Sequence, residues 1–474
     1  MSTKREESKA IGHAAALREI VEERLNEIKR LVEETVSVQN AADLEVLEKR
    51  VFEITDELGS QVIACKLQEN LDSEALGKDA SELMESSPKK LKNQRNQEFT
   101  IFTSRGKPIL VKTVYYSEKA RKRNKRRRTG FYPALLLLGI HDHCSPFFAS
   151  QISTMSTVVG SLKEAQQVLK SWGIDLDVKT IRAITLRCAE RARRVQMESS
   201  VDFAQSVSGF SVVVSTDGGR LRIRKDKRGQ KSPKGRKRYS TNWREPKLLI
   251  IYVVNEKGEM LRQFSPFIDG TLKGPDAVFS LISFYLGRLE IKKAAKILFV
   301  ADGARWIWNR TGKLAKSLGL NPGQFYELVD FYHAVEHLGA VASLRKSWSS
   351  RERKTWIRKQ RKRLLEGDVE AVIDSVRQIC KGRLSNGMRR ERNYFIRNKN
   401  RMCYAQIADL GFPIGSGAIE SAIRRVVNLR LKGASIFWHR ATAEAMIFLR
   451  SFYKAGRWNL LKTWMFSSQH VALS

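Results

Sequence analysis

The stretch 207-VSGFSVVVSTDGG-219 decides the fold class of this chain. Its apolar, β-branched run predicts a buried strand that ends in Asp217 and two glycines. The stretch 296-KILFVADGARWIW-308 repeats the pattern, with a strand that runs into Asp302 and then a helix. An acid at the C-terminal end of a buried strand lies where α/β sheets place their ligands. We therefore expect Asp217 and Asp302 to lie side by side at one edge of a sheet.

Strands and helices alternate around these two stretches. The run 247-KLLIIYVV-254 predicts another strand, 276-DAVFSLISFYLGRLEI-291 predicts a helix, and 323-GQFYELVDFYH-333 predicts a strand that ends at Asp330. This alternation argues for an α/β core. Residues 340–408 break the pattern, because they have helical periodicity, many Arg and Lys residues and no strand runs. We therefore expect a core that an all-helical segment interrupts.

The chain is unusually basic. Its 474 residues carry 86 Lys and Arg against 50 Asp and Glu, for a formal charge of +36. Such a cation repels itself unless it meets a polyanion, and nucleic acid is the first candidate because bound phosphates release counterions. An acidic membrane surface is the second candidate, but no stretch approaches the ~20 apolar residues of a membrane span. The polar N-terminus predicts no signal peptide, and five scattered cysteines predict reduced thiols, so we expect a cytoplasmic protein.

The N-terminal half is predicted to be mainly helical. Residues 12–70 have an amphipathic periodicity, typical of a packed helix or of a helix that mediates self-association. Residues 98–116 predict a hairpin around Arg105 and Gly106. The run 118–128 has eight bases and one acid, which favours phosphate contact over an ordinary charged loop. Residues 161–194 predict a helix, a turn at Gly173 and a basic helix, in the manner of a helix-turn-helix.

These patterns divide the chain into six regions. They are a helical region with a linker (1–97), a β-hairpin and basic module (98–148), a helix-turn-helix-like DNA-binding region (149–206), the first part of the core (207–338), the all-helical insertion (339–410), and the second part of the core with C-terminal helices (411–474).

Two neighbouring acids repel each other unless a cation neutralises them, and Mg²⁺ prefers oxygen ligands. A two-metal site for phosphoryl transfer needs a third acid. Spacing favours Glu336, which follows the strand after Asp302, whereas context favours Glu420, on a helix that 415-GSG-417 opens. The small turn lets that helix approach the strands and places Glu420 near a helix N-terminus, where negative charge is favoured.

Three other features have more than one interpretation. The stretch 330-DFYHAVEH-337 contains H-x-x-E-H, an inverted zinc-peptidase signature, but a peptidase would explain neither the charge of the chain nor the two Asp-Gly strand ends. A possible zinc site, with an ordinary loop as the alternative, consists of His141, His143 and Cys144. Tryptophans that would either pack in the core or stack on bases are Trp306, Trp308 and Trp438.

Five motifs, in this order and spacing, resemble those of insertion-sequence DDE transposases, in particular the ISKra-type group. They are STDGGRLRIR (215–224), WREPKLLIIYV (243–253), ILFVADGARWIW (297–308), ELVDFYHAVEHL (327–338) and GFPIGSGAIESAIRRVVNLRLKGASIFW (411–438). The resemblance covers roughly residues 205–455. Relatives often carry a cysteine zinc ribbon before the segment that corresponds to 130–140, whereas this chain has the basic run and no cysteine pair there.

The resemblance implies a ribonuclease H-like α/β catalytic core, interrupted by an all-helical insertion and preceded by mainly helical N-terminal DNA-binding regions. It places Asp217, Asp302 and Glu420 on the catalytic and metal-binding triad, with Asp330 and His333 as an Asp-x-x-His pair beside it. The implied cofactors are two Mg²⁺ ions, which Mn²⁺ can replace. The implied partner is double-stranded DNA, both the terminal inverted repeats of the element and its target, bound by a homo-oligomer in a bacterial nucleoid.

The implied activity is metal-dependent DNA strand cleavage and strand transfer. The same acids would serve a ribonuclease H-like nuclease or resolvase that does not join strands, and a catalytically silent, domesticated DNA-binding protein is a further alternative. Expected DNA contacts are Arg121, Lys122, Arg123, Lys125, Arg126, Arg127, Arg128, Arg220, Arg424, Arg425, Arg430 and Lys432.

Overall fold

A computed structural model describes residues 2–87, 91–118, 130–198, 205–233, 235, 237–381 and 385–467. The chain divides into two compact units, one of residues 1–198 with 462–474 and the other of residues 199–461. The predicted DNA contacts between Arg121 and Arg128 lie outside the described residues. No helix in the described ranges is long and apolar enough to cross a membrane.

The first unit combines helices with a small antiparallel sheet of order β1-β2-β3. Its elements are α1 (Ser2–Glu33), α2 (Ala41–Leu71), α3 (Glu74–Glu85), β1 (Leu91–Phe102), β2 (Pro108–Glu118), β3 (Gly130–Phe131), α4 (Pro133–Leu137), α5 (Pro146–Val158), α6 (Leu162–Ser171) and α7 (Val178–Glu198). The linker predicted between residues 72 and 97 is wrong. Ser73 accepts a hydrogen bond from the Leu76 amide and caps α3, and β1 begins at Leu91.

One hydrophobic cluster joins the N-terminal helices to the hairpin. Ala64 of α2, Ile101 of β1, Val111 of β2 and Leu135 of α4 are all buried within it. Two of the regions predicted from the sequence, 1–97 and 98–148, therefore share one core. The helix-turn-helix pattern corresponds to α6 and α7, and Gly173 makes the turn between them with φ +79°, a conformation that favours glycine.

The second unit is built on a five-stranded mixed sheet. Its first elements are β4 (Ser211–Gly218), β5 (Leu221–Asp226), β6 (Tyr239–Arg244), β7 (Lys247–Val254), β8 (Phe267–Thr271), α8 (Pro275–Arg288), β9 (Lys296–Ala301), α9 (Arg305–Ser317), β10 (Phe325–Val329) and α10 (Phe331–Ser343). The strand order is β10-β9-β4-β7-β8, and β5 and β6 pair in a separate two-stranded sheet. Strand β4 runs parallel to β9 and antiparallel to β7. The strands β4, β7, β9 and β10 lie where the sequence predicts them.

Helices follow β10 in the rest of this unit. They are α11 (Ser350–Leu365), α12 (Val369–Ile379), α13 (Asn386–Asn398), α14 (Tyr404–Asp409), α15 (Gly417–Ile423), a π-helical segment (Arg424–Asn428), α16 (Leu429–Leu431), α17 (Arg440–Lys454) and α18 (Trp458–Met465), of which α18 continues past the limit of the unit. Short 3₁₀ turns lie at Ser104–Gly106, Ile291–Lys293 and Lys399–Arg401. Helix α15 packs against β4 and β7, so the chain returns to the sheet after the helical segment α11–α14.

Candidate active site

Three aspartates stand in one row across adjacent parallel strands. In the β4–β9 pair Ser215 lies opposite Val300, so Asp217 lies opposite Asp302 two residues further on. In the β10–β9 pair Val329 lies opposite Ala301, which places Asp330 next to Asp302. The Asp330 amide donates a hydrogen bond of 2.8 Å to the Ala301 carbonyl and continues the ladder. Register alone therefore brings three acids to the carboxyl edge of the sheet.

Asp217 and Asp302 are partly buried carboxylates close enough to affect each other. Burial, together with the charge of Asp302, raises the pKa of Asp217 to about 6, against the opposing effect of a 2.6 Å hydrogen bond from the Gly218 amide. Burial also raises the pKa of Asp302, although its Oδ1 accepts a hydrogen bond from the Ala304 amide at 3.1 Å. Two acids that disfavour each other's charge in this way are suited to a cation.

Asp330 has a different role from the other two aspartates. Its side chain is fully buried, its Oδ1 accepts a 2.7 Å hydrogen bond from the His333 amide at the start of α10, and its Oδ2 accepts one from the Ser416 amide. Burial acts to raise the pKa of Asp330, but the contacts from His333 and Ser416 outweigh it and lower that pKa to about 2. Since both oxygens already accept backbone hydrogen bonds, we interpret Asp330 as a structural link between β10 and the loop before α15.

Glu420 reaches the site because that loop lies close to the sheet. The Phe331 amide donates to the Ile414 carbonyl at 3.1 Å, beside the Asp330–Ser416 contact. A Cβ on Gly415 would lie 2.8 Å from the ring of Tyr332, so a larger residue there would require either this ring or the loop to shift. Glu420 follows on α15 with half of its side chain exposed.

His333 lies between the structural acid and Glu420. Its Nδ1 is 3.2 Å from Asp330 Oδ1, at an angle outside hydrogen-bond geometry, and 4.0 Å from Glu420 Oε1. Contact with Asp330 raises the pKa of His333 to about 9, against the opposing effect of burial. Among the described residues, Asp330, His333 and Glu420 are the one group of three possible metal ligands whose atoms lie within 4.8 Å of one another. Asp217, Asp302 and Glu420 do not form such a group in this part of the chain.

The H-x-x-E-H histidines separate in the structure. His337 directs its Nδ1 to Glu391 Oε2 at 2.5 Å and stacks on Tyr394 with ring centroids 3.6 Å apart, so it faces the helical segment. Glu336 is exposed and belongs to no group of three close ligands in the described ranges. Among the described residues, Glu420 and not Glu336 therefore belongs to a close group of possible ligands, and the geometry gives no support to a zinc peptidase.

Two residues that the sequence did not single out complete the surroundings of the acids. Lys247 begins β7 opposite Gly218, is 5 % exposed, lies 2.6 Å from Glu245 Oε1 and places its Nζ 3.9 Å from the Trp306 ring centroid. Its charge lowers the pKa of both Asp217 and Asp302. In the sequence, Lys247 could have been recognised as the single charged residue of the otherwise apolar run 247-KLLIIYVV-254.

Tyr394 brings the helical segment to the acids. Its hydroxyl is buried without a hydrogen-bond partner among the described residues, and burial together with the charges of Asp302 and Asp330 raises its pKa. A Cβ on Gly303, directly after Asp302, would lie 2.2 Å from the Tyr394 ring. No sequence pattern marks Tyr394, because the contact joins residues about ninety positions apart in the chain.

The predicted DNA contacts differ in exposure. Arg220, Arg424 and Lys432 are exposed, and Arg425 is partly buried against the Ser421 carbonyl. Arg430 is only 5 % exposed and places its guanidinium 5.1 Å from the Trp438 ring centroid, which does not fit the predicted contact of Arg430 with DNA.

The tryptophans and the possible zinc ligands, for which the sequence allowed two interpretations, are packed within their own units. Trp308 and Trp438 are buried and donate to the carbonyls of Asp302 and Leu431, which favours packing over base stacking. Trp306 is partly buried. In the first unit His143 stacks on Phe99, and burial raises the pKa of the Cys144 thiol to about 12. No close group of three ligands in the described residues includes His141, His143 or Cys144.

Comparison with known proteins gave no match, whether to protein-family models, to curated proteins or to solved structures.

We expect Asp330→Ala to destabilise the protein by about 3–5 kcal/mol, because it leaves the buried amides of His333 and Ser416 without an acceptor. Asp330→Asn should cost less, since the amide oxygen can still accept one of the two hydrogen bonds. Urea denaturation measures both, with Asp409→Ala at an exposed helix end as the control, expected within about 0.5 kcal/mol of the parent protein. Equal stability of Asp330→Ala and Asp409→Ala would contradict the structural role.

We also expect Gly303→Ala to cost about 1–3 kcal/mol, because its methyl group would overlap the Tyr394 ring. Gly312→Ala is the matched control, since no atom lies within 4 Å of a Cβ at this position inside α9. That change should stabilise the protein by about 0.5–1 kcal/mol. Thermal unfolding compares the two variants, and a stabilising Gly303→Ala would show that Tyr394 does not pack on the strand end.

Proposed function

We propose that this chain is a DNA transposase of the insertion-sequence type, which binds element ends and catalyses metal-dependent strand cleavage and strand transfer. The observation that carries the proposal is the row of Asp217, Asp302 and Asp330 at the carboxyl edge of the sheet, which we call the acid row. Glu420 is held beside it by the Asp330–Ser416 contact. The order of the residues along the chain also agrees with the DDE motifs that the sequence resembles.

The sheet supports a ribonuclease H-like core. In chain order β4, β7 and β8 form an antiparallel set, and β9 and β10 are parallel to β4 on its other side. This arrangement agrees with the proposed core and puts the ends of β4, β9 and β10 at one edge. The helices α11–α14 between β10 and α15 agree with an insertion.

The donor chemistry of the acids, rather than a preformed group of ligands, supports a divalent cation in this proposal. The candidate ligands are carboxylate oxygens of Asp217, Asp302 and Glu420, which suit Mg²⁺ or Mn²⁺. The raised pKa values of Asp217 and Asp302 reflect burial and repulsion that a bound cation would relieve. A divalent ion held by these acids would supply Lewis-acid chemistry, with activation of a water or DNA 3′-hydroxyl and stabilisation of the leaving oxygen of the phosphodiester.

The surrounding residues would prepare the acids for this role. His333 and Lys247 bear positive charge that favours the ionised forms of Asp217 and Asp302. Asp330 positions both His333 and the loop that leads to Glu420. The buried Tyr394 ring, packed beside Gly303, would limit the access of water on that side of Asp302, which strengthens electrostatic interactions.

In this proposal, exposed Lys and Arg residues that follow α15, the helix that carries Glu420, provide phosphate contacts. Arg424 and Lys432 lie on the π-helical segment and just after α16, and Arg220 follows Asp217 by three residues. Such contacts position a duplex without reading its sequence. A nuclease that does not join strands would use the same acids, so only an assay for joined products distinguishes it from a transposase.

We expect Asp217→Asn, Asp302→Asn and Glu420→Gln each to lower the rate of DNA cleavage by about 10³-fold or more. Each change removes about several kcal/mol of charge stabilisation from the transition state, and every ~1.4 kcal/mol lost lowers the rate tenfold. The measurement is gel analysis of cleavage and joining of DNA that carries the element ends, with Mg²⁺ or Mn²⁺ and with a chelator. Binding of the same DNA should survive in all three variants.

Glu336→Gln is the matched control, because it removes an exposed carboxylate one helical turn from His333. It should retain most of the cleavage activity. An inactive Glu336→Gln beside an active Glu420→Gln would overturn the assignment of the third acid, and full activity of Asp217→Asn would overturn the proposed function. Cleavage without any joined product would indicate the nuclease instead.

A further inference from the structure

The segment 220–244 is a strongly basic hairpin outside the central sheet. It contains twelve Lys and Arg residues and one acid, Asp226, among its 25 residues. Strands β5 and β6 pair antiparallel from Leu221 opposite Arg244 to Asp226 opposite Tyr239, and the described residues between the two strands are almost all exposed. We call β5, β6 and the residues between them the basic hairpin.

The basic hairpin continues the strands that carry the acid row. The chain leaves the sheet after Asp217 and Gly218, forms the hairpin and returns at Lys247, which lies opposite Gly218. Between the β4–β7 pair and the β5–β6 pair, the Gly219 amide donates a hydrogen bond of 2.9 Å to the Pro246 carbonyl. The hairpin therefore extends from the same edge of the sheet that holds Asp217.

The hairpin is also fixed on its outer side. The Trp438 amide donates to the Arg222 carbonyl at 3.1 Å, and the Arg224 amide donates to the Trp438 carbonyl at 2.8 Å. Leu221 and Ile223 are buried on the inner face. A free two-stranded hairpin is marginally stable in water, so these contacts give the basic hairpin a defined orientation.

The opposite face alternates arginines with aromatic rings. Arg222 lies directly across from Trp243, and its guanidinium is 5.6 Å from the Trp243 ring centroid and 4.8 Å from that of Phe437. Arg224 lies 4.7 Å from the Tyr239 ring centroid. We call this set the arginine–aromatic face; it consists of Arg220, Arg222, Arg224, Tyr239, Trp243 and Phe437.

This face suits a phosphate backbone. Aromatic rings hold the guanidinium planes in place, so less side-chain entropy is lost when the arginine forks meet phosphate oxygens. Asp226 is the one acid of the hairpin, and it pairs with Arg224 Nε at 3.2 Å. Trp243 and Tyr239 remain 52 % and 41 % exposed, and Trp243 carries two guanidinium groups over its ring.

We propose that the arginine–aromatic face of the basic hairpin binds the phosphate backbone of duplex DNA beside the strand to be cut. The position of the cut rests on the proposed function, whereas the DNA contact rests on the charge and geometry of the hairpin. An acidic protein segment is the competing partner, and it is an outcome of the test.

The test is the affinity for a fluorescein-labelled DNA duplex of arbitrary sequence, measured by anisotropy in a chelator between about 50 and 200 mM salt. In R222A/R224A the slope of log Kd against log salt should fall by about two, one per phosphate contact. K227A/R228A changes only exposed residues beyond β5 and should also lower the slope, without the risk of disturbing the anchored strand. The charge-matched control, K49A/R50A on α2, should keep the slope of the parent protein.

The outcomes separate the hairpin from the proposed activity. Parent-like affinity and slope in both hairpin variants would overturn the inference and leave an acidic protein segment as the partner of this face. R222K/R224K should keep the slope but bind more weakly, because lysine lacks the planar fork. The titration contains a chelator and therefore measures binding without cleavage. If the hairpin variants lower the slope but the parent protein cuts no DNA with Mg²⁺, the result would support the hairpin contact and contradict the proposed activity.

The position of the contact is tested by cleavage at saturating DNA with Mg²⁺. There R222A/R224A should also cut more slowly than K49A/R50A, because the hairpin continues the strand that carries Asp217. An unchanged cleavage rate beside weakened binding would place the contact away from the strand to be cut and would overturn that part of the proposal.

Discussion

The buried carboxylate of Asp330 is the interaction on which the second unit depends. One oxygen accepts a hydrogen bond from the His333 amide in the first turn of α10. The other accepts one from the amide of Ser416, 86 residues further along the chain. A buried charge is tolerated when its lone pairs are satisfied, and here backbone amides satisfy both oxygens. The chain can therefore leave the sheet for a long helical excursion and return with α15 against β4 and β7. Without this link, Glu420 would have no fixed place beside His333 and Asp330.

The acid row is balanced by cations that the fold places beside it. Asp217 and Asp302 share a register position, so their repulsion follows from the pairing of β4 with β9. Lys247 enters from β7 and His333 from α10, and the charge of each favours the ionised carboxylates. This compensation lets the protein fold with its acids together, at the cost of burying a lysine between Glu245 and the Trp306 ring. Sites that concentrate like charges in this way are typical of functional positions.

Much of this arrangement could be predicted from local sequence, because strand ends are local features. Apolar runs closed by Asp-Gly place Asp217 and Asp302 at strand ends, and the Gly-Ser-Gly turn points to Glu420. Lys247 and Tyr394 were missed since their roles arise from contacts between distant segments. Arg430 was misplaced for another reason: a run of basic residues does not show which of them are buried, and the structure packs Arg430 at 5 % exposure against the Trp438 ring. The helix at 74–85 was missed because its composition is that of a polar linker, and a serine cap decides it.

Charge is distributed unevenly along the chain, and this limits where the proposed DNA contacts could lie. Residues 1–87 hold 20 acids and 11 bases, so the +36 of the whole chain comes from the residues that follow. Acidic side chains of α1 and α2 pair with arginines of the same two helices, as in Arg24 with Glu57 and Arg50 with Glu34, which leaves few cations there for phosphates. Among the N-terminal helices, the electrostatics therefore favour α7 over α1 and α2 for the proposed phosphate contacts. Within α7 itself Arg187 and Arg191 already hold Asp142, so any phosphate contact by this helix must come from its other bases.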